Sequence, residues 1–287
     1  MSEPSKTRTA AGTFVDEIGI EIGIYGDWRL KATFRPIFAR AASGFRAIAV
    51  EGGVRPFVFG REVDERMFRR AVPPHDRPAV AALGAVLCLR NLQHTGVEGL
   101  KLLLDAEFGG AVSAAKARAA VRALAAETRR NGLDADDVII QLSAVGGDAA
   151  NVAFASLHAE GIGFALVEKG NGLAFDGASN DAFKDSGADL LPDLVTIDAG
   201  WFRMIAGQAS TAQLFGALVQ GYRSRGAIVL VEGVATAGEL RVALDSGADW
   251  LSGPLLAPVA LAGAVFPEDA LQIETLLDQG RVIPLFR

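Results

Sequence analysis

Short apolar runs recur from about residue 137 onward, at intervals of roughly 25–35 residues. Most of these runs are rich in β-branched residues, and apolar residues recur with helical spacing between them. Strands that alternate with helices in this way predict βα units and a parallel sheet. The predicted strands are Val138–Leu142, 162–167, Leu194–Ile197, Ile228–Val231 and Trp250–Leu251.

Capping residues mark the predicted helix ends. Thr236 and Glu239 have the spacing of a capping box, and Gly247 is suited to end the same helix in a left-handed conformation. Asn131 and the glycine after it are placed to end an alanine-rich helix that begins near Ser113. Repeated strand–helix units are typical of a closed barrel or of an open doubly wound sheet, and this pattern does not separate the two.

The first hundred residues are less regular. Residues 1–20 predict a disordered lead-in. Because no long Gly/Pro/Ser linker interrupts the remainder, we predict one domain over residues 21–287, whose tail at 268–287 packs as a helix plus an extended end. We predict strands at 32–38, 47–50 and 100–104, and helices at 61–71 and 79–89.

Composition excludes several classes of function. The chain has 287 residues, half of them apolar, and a net charge of −6 without a Lys/Arg run, so nucleic-acid binding is not favoured. A lone cysteine, Cys88, allows no intrachain disulfide and fits a reducing compartment, which predicts a cytoplasmic protein. No apolar run reaches the roughly 20 residues that a membrane helix needs, and no signal core is evident.

Polar side chains lie at or just after the ends of six predicted strands. In a β/α barrel these carboxyl ends meet at one mouth, where catalytic residues gather. Several carboxylates there favour Mg²⁺, Mn²⁺ or Ca²⁺ over zinc, although such residues also cap helices or face water. The residues are Glu51, Asp105, Gln141, Glu168, Asp198 and Glu232.

Five motifs, in order along the chain, resemble the EAL family of cyclic di-GMP phosphodiesterases. Arg35-Pro-Ile stands where that family has Q-P-I, and Glu51-Gly-Gly-Val-Arg55 where it has E-A-L-x-R. Pro192-Asp-Leu-Val-Thr-Ile-Asp198 resembles P-D-x-x-K-I-D. Leu230-Val-Glu-Gly-Val-Ala-Thr236 resembles A-E-G-V-E-T, and the segment from Ser252 to Pro258 resembles the closing Q-G-Y-x-x-x-x-P.

The resemblance implies a modified TIM (β/α)8 barrel with one early antiparallel strand and a two-metal site, using Mg²⁺ or Mn²⁺, that hydrolyses cyclic di-GMP. Glu232 matches a glutamate that activates water or supports the metals. Arg55 matches a phosphate contact, and Arg35 replaces a glutamine that resembles a guanine contact. The residues at metal-ligand positions are Glu51, Asp105, Gln141, Glu168 and Asp198.

The chain departs from the family pattern at the metal positions. Gln141 stands for a glutamate, and Val167 and Glu168 stand for the paired aspartates of D-D-F-G-x-G. Thr196 replaces the motif lysine and Ala235 the second glutamate of E-G-V-E-T. Because valine offers no lone pair and magnesium demands near-octahedral oxygens, these losses predict little or no turnover.

We therefore predict a catalytically impaired EAL-like domain that acts in cyclic di-GMP signalling as a nucleotide sensor or a protein-interaction module. One alternative is a weakly active phosphodiesterase in which Asp105 and Glu168 cover the lost ligands. Another is an interaction scaffold without nucleotide affinity, and a third is an unrelated barrel enzyme such as an aldolase, which the missing strand-end lysine disfavours. The resemblance also implies a homodimer, and a protein partner is expected.

Overall fold

The computed structural model describes residues 11–42, 44–106, 113–142, 148–170, 192–266 and 269–278, and these divide into two compact units. Unit one comprises Met1–Phe34, Gly52–Glu98 and Ala260–Phe266, and unit two comprises Arg35–Glu51, Gly99–Val259 and Pro267–Arg287. The strands are β1 Ala11–Val15, β2 Glu21–Tyr25, β3 Trp28–Ala41, β4 Gly44–Val58, β5 Arg61–Glu62, β6 Lys101–Ala106, β7 Val138–Leu142, β8 Gly163–Glu168, β9 Leu194–Ile197, β10 Ile228–Val231, β11 Trp250–Leu251 and β12 Ala260–Leu261. The helices are α1 Glu65–Ala71, α2 Arg77–Asn91, α3 Ala114–Arg130, α4 Asp148–Glu160, α5 Ala199–Ala206, α6 Ala209–Arg223, α7 Ala237–Ser246 and α8 Ile273–Asp278.

Unit one is built on antiparallel strands. β2 pairs with β1 on one side and with the start of β3 on the other, and β12 pairs with β3 as well. Helix α2 packs against β1 and β2. Its Cys88 is buried, and burial raises the pKa of the thiol to about 12, which makes it a small apolar side chain rather than a nucleophile.

Unit two contains a closed eight-stranded barrel. The order β3-β11-β10-β9-β8-β7-β6-β4 is closed by pairing between β3 and β4. Strands β6 to β11 are parallel, and β3 runs antiparallel to β11. Because a connection of two residues joins only antiparallel strands, β4 runs with the other six. The predicted barrel with one early antiparallel strand is confirmed, and the open sheet is excluded.

Most of the predicted elements are present within a few residues of their expected ends. Thr236 and Glu239 form a capping box, Gly247 adopts a φ of 78°, and Ser113 and Asn131 cap the two ends of α3. A helix in the tail is present as α8.

Two predictions about the first hundred residues are corrected. Strand β1 lies within the stretch predicted to be disordered. It is ordered by backbone pairing with β2, and no long apolar run in the sequence indicates it. Helix α1 begins only at Glu65, because Asp64 accepts hydrogen bonds from the amides of Arg66 and Met67. The residues before it, Arg61–Glu62, pair with β4 instead.

No helix in the described ranges is long and apolar enough to cross a membrane.

Candidate functional site at the barrel mouth

An apolar layer inside the barrel fixes which side chains face its interior. Each of the eight barrel strands contributes one buried residue to this layer. Since side chains alternate between the two faces of a strand, residues two positions nearer the mouth point inward as well. The layer is Ile37, Ala49, Leu103, Ile139, Ala165, Leu194, Leu230 and Trp250. The residues two positions nearer the mouth, here called the mouth set, are Arg35, Glu51, Asp105, Gln141, Val167, Thr196, Glu232 and Ser252.

Arg35 and Glu51 form an ion pair across the two strands that close the barrel. The Nη1 atom of Arg35 lies 2.8 Å from Oε2 of Glu51, and the side chains are 36% and 19% exposed. At this distance the hydrogen bond is charge-assisted. The glutamate expected to bind a metal is thus bound by a guanidinium of the same chain.

A chain of hydrogen bonds connects three further members of the mouth set. The Thr196 hydroxyl donates to Oε1 of Gln141 at 2.6 Å, and Nε2 of Gln141 donates to Oδ1 of Asp105 at 2.9 Å. Gln141 is 4% exposed and Thr196 is fully buried, whereas Asp105 is exposed. Gln141 therefore presents its amide donor, not an oxygen, to the neighbouring carboxylate.

Glu232 and Ser252 are buried side by side at the ends of β10 and β11, where the register pairs Val231 with Leu251. Among the described residues, Oε1 of Glu232 and Oγ of Ser252 have no hydrogen-bond partner. Burial, together with the negative charges of Glu51, Asp105 and Asp198, raises the pKa of Glu232 to about 8, although the positive charge of Arg35 opposes the rise. These charges therefore lie close enough to act on one another.

Asp198 follows β9 and caps helix α5. Its Oδ1 accepts hydrogen bonds from the amides of Gly200 at 2.9 Å and Trp201 at 3.0 Å. This is the helix-capping role that the sequence left open for strand-end carboxylates. Asp198 acts electrostatically on Glu232 all the same.

Glu168 does not lie with the mouth set. It follows the inward-facing Val167 on β8, so its side chain points outward, toward the helices. Its Oε2 accepts a hydrogen bond from the Tyr222 hydroxyl of α6 at 3.0 Å, and its Oε1 accepts one from the Gly170 amide at 2.7 Å. Glu168 is 3% exposed, and both of its oxygens are used in this structural role.

Arg55 belongs to unit one. Its Nε lies 3.3 Å from Oε1 of Glu62 on the adjacent strand β5, and both side chains are partly exposed. This contact is the ordinary surface ion pair that competes with a phosphate-binding role for this residue.

Tyr222 binds Glu168 from helix α6, so the pattern of polar residues at strand ends does not predict it. It continues an apolar stripe on α6 with Phe215 and Val219, all three of which are buried. Its hydroxyl is the one feature that indicates a polar contact, because a buried tyrosine needs a hydrogen-bond partner, and the outward-facing Glu168 is that partner. Burial, and then the neighbouring Glu168, raises the pKa of this tyrosine.

The mouth set, as far as the structure describes it, does not fit a pair of divalent cations. Val167 offers no lone pair, Arg35 holds an oxygen of Glu51, and Gln141 turns its amide donor toward Asp105. Within the described ranges, three acidic side chains bring ligand atoms within 4.8 Å of one another only at Asp134, Asp136 and Asp137. That exposed group lies before β7, and Lys101 contacts two of its members at 3.9 and 3.7 Å.

Comparison with solved structures identifies the fold. BlrP1 of Klebsiella pneumoniae, in a complex with calcium and cyclic di-GMP, matches with a TM-score of 0.67 and 17% identity, over 82% of this chain and 56% of that chain. The FimX EAL domain of Xanthomonas citri, in complex with cyclic di-GMP, matches with a TM-score of 0.66 and 15% identity, over 84% and 91%. The chain has the EAL fold.

This chain also matches a structure of BlrP1 with FMN and cyclic di-GMP but no metal ions. The TM-score is 0.63 and the identity 17%, over 81% of this chain and 54% of that chain. This chain thus spans about half the length of BlrP1 and nine tenths of the FimX domain. At these identities the similarity establishes the fold alone. No protein-family model and no curated protein matches the sequence.

Proposed function

We propose that this chain is an EAL-like domain that binds cyclic di-GMP without hydrolysing it. The observation that carries the proposal is the inward-facing Val167. Of the two residues at the position of the paired aspartates, Val167 points into the barrel and Glu168 points out, toward Tyr222. The oxygen ligand at this position is therefore missing on the side where the reaction would take place.

Binding of the nucleotide is supported by the fold and by one exposed cation. BlrP1 and the FimX domain carry cyclic di-GMP in structures of this fold, and for BlrP1 one such structure has no metal ions. Arg35 retains about a third of its side-chain exposure at the mouth, and a guanidinium binds phosphate oxygens well. In the same proposal the domain is cytoplasmic and dimeric, and passes the signal to a protein partner.

Hydrolysis is tested by incubating the purified chain with cyclic di-GMP and Mg²⁺ or Mn²⁺, and measuring the linear dinucleotide. An active EAL phosphodiesterase serves as the positive control. We expect turnover at least about 10²-fold below the control, since single catalytic groups contribute about 10²–10⁴. Turnover within about tenfold of the control, abolished by Glu51→Ala, would instead establish a working phosphodiesterase.

Binding is tested separately by calorimetry with cyclic di-GMP. We expect saturable heat that is reduced in an Arg35→Ala variant and unchanged in an Arg118→Ala variant, whose side chain lies on the exposed face of α3. Absence of binding by the folded wild-type protein would reject the sensor and leave the interaction scaffold.

A further inference from the structure

The ion pair at the mouth places a positive charge where the EAL resemblance implies a metal ion. Arg35 comes from the antiparallel strand β3 and Glu51 from β4, and both belong to the mouth set. The 2.8 Å contact joins a partly exposed guanidinium to a more buried carboxylate. A guanidinium stays charged at all ordinary pH values, so this countercharge is permanent.

The charge of Arg35 opposes that of the surrounding carboxylates at Glu232. Glu51, Asp105 and Asp198 each raise the pKa of Glu232, and Arg35 is the positive charge that acts in the opposite direction. Carboxylates gathered in a partly buried mouth repel one another unless a cation or hydrogen-bond donors offset them. Here Arg35 offsets the charge of Glu51, and the Gln141 amide does the same for Asp105.

We propose that Arg35 replaces the divalent cation at this mouth, so that the protein excludes metal ions from the site and binds its ligand without them. A dication beside Glu51 would lie within a few ångströms of the guanidinium, and the two positive charges would repel each other strongly in a partly buried site. This inference rests on the proposed function only where it concerns the nucleotide. Metal exclusion stands on the mouth residues alone.

The test is Mn²⁺ uptake, measured as loss of the free-ion signal in electron paramagnetic resonance. All proteins carry Asp136→Asn and Asp137→Asn, which remove the exposed acidic group before β7. In that background we expect no stoichiometric uptake by the otherwise wild-type protein or by Arg35→Lys, which keeps the charge. Arg35→Gln should bind Mn²⁺ at least about tenfold more tightly, because it removes the positive charge that contacts Glu51 and opposes the carboxylates around Glu232.

Stoichiometric Mn²⁺ uptake with Arg35 in place, unchanged or weakened by Arg35→Gln, would overturn the inference. If Arg35→Gln does not fold, Glu51→Gln in the same Asp136→Asn and Asp137→Asn background, with Arg35 in place, and nucleotide binding in EDTA decide the question. Glu51→Gln should leave Mn²⁺ uptake at the wild-type level, and affinity for cyclic di-GMP should agree within about twofold between EDTA and excess Mn²⁺. A tenfold dependence on Mn²⁺ would contradict the inference, whereas absent nucleotide binding would reject only the proposed function.

Discussion

Two buried glutamates lie in different layers of unit two and have opposite environments. Glu232 faces the barrel interior at the mouth, where its Oε1 has no partner among the described residues and three other carboxylates act on it. Glu168 faces the layer between barrel and helices, where Tyr222 and the Gly170 amide bind both of its oxygens. The oxygen Oε1 of the first lies buried among other carboxylates, whereas the second connects strand β8 to helix α6 through Tyr222.

The two glutamates differ in environment because successive side chains of a β-strand point to opposite faces. Val167 and Glu168 are consecutive, so one of them must face inward and the other outward. The chain has placed valine on the inner side and retained the acid on the outer side. A count of acidic residues at strand ends treats Glu168 and Glu232 alike, yet only Glu232 belongs to the mouth set.

The strongest prediction concerns pH and Glu232. Because its pKa rises from 4.5 to about 8 on folding, the folded state holds a proton that the unfolded state has released between these values. The contribution of protonated Glu232 to the stability of the folded protein is complete below the unfolded pKa of 4.5, and it is lost as the pH rises through the folded pKa of about 8. Glu232→Gln should be more stable than wild type by several kcal/mol above pH 8, since each pKa unit corresponds to about 1.4 kcal/mol, and urea unfolding measures the difference.

Below the unfolded pKa of Glu232 the two proteins should differ little, since the carboxyl is then neutral in both states. Parallel stability curves across the whole range would show that Glu232 is solvated and would remove the contrast with Glu168. Val80→Ala, a buried change in unit one that involves no ionisable group, is the control for nonspecific effects of pH.

A smaller change in the free energy of unfolding is expected for Glu168, whose side chain points out of the barrel. Glu168→Gln should lower the free energy of unfolding by about 2 kcal/mol, because the buried carboxylate accepts two hydrogen bonds and an amide offers only one oxygen. Tyr222→Phe should cost about 1 kcal/mol. The double variant should lose less than the sum of the two. Additive losses would show that the 3.0 Å contact contributes nothing.

Much of the fold could be predicted from the sequence because the parallel strands are short, largely buried apolar runs and several of the helices between them have clear capping residues. Strands β7, β9 and β10 were predicted to the residue, as was the capping box at Thr236. Strand β1 was not, because a short edge strand is fixed by its partner β2 rather than by its own pattern.

The site was harder to predict than the fold. Six polar residues could be found at strand ends from the sequence. Whether each side chain points into or out of the barrel depends on the interior apolar layer, which is known only once the register of the strands is known. Arg35 and Glu51 are 16 residues apart and meet because β3 and β4 form a hairpin. The partner of Glu168 lies 54 residues away on a helix, which no spacing rule indicates.

The smallest effect is expected from Thr196, which lies inside the barrel as Glu232 does but is fully paired. Thr196→Val keeps the shape and removes the hydroxyl that Oε1 of Gln141 accepts at 2.6 Å. We expect a loss of about 1 kcal/mol in the free energy of unfolding, with Thr196→Ser close to wild type because it keeps the donor. Unlike the change at Glu232, this one should not vary with pH, since neither partner ionises. A pH-dependent loss would mean that Gln141 transmits the charge of Asp105 into the barrel, and paired and unpaired positions at the mouth would then belong to one coupled network.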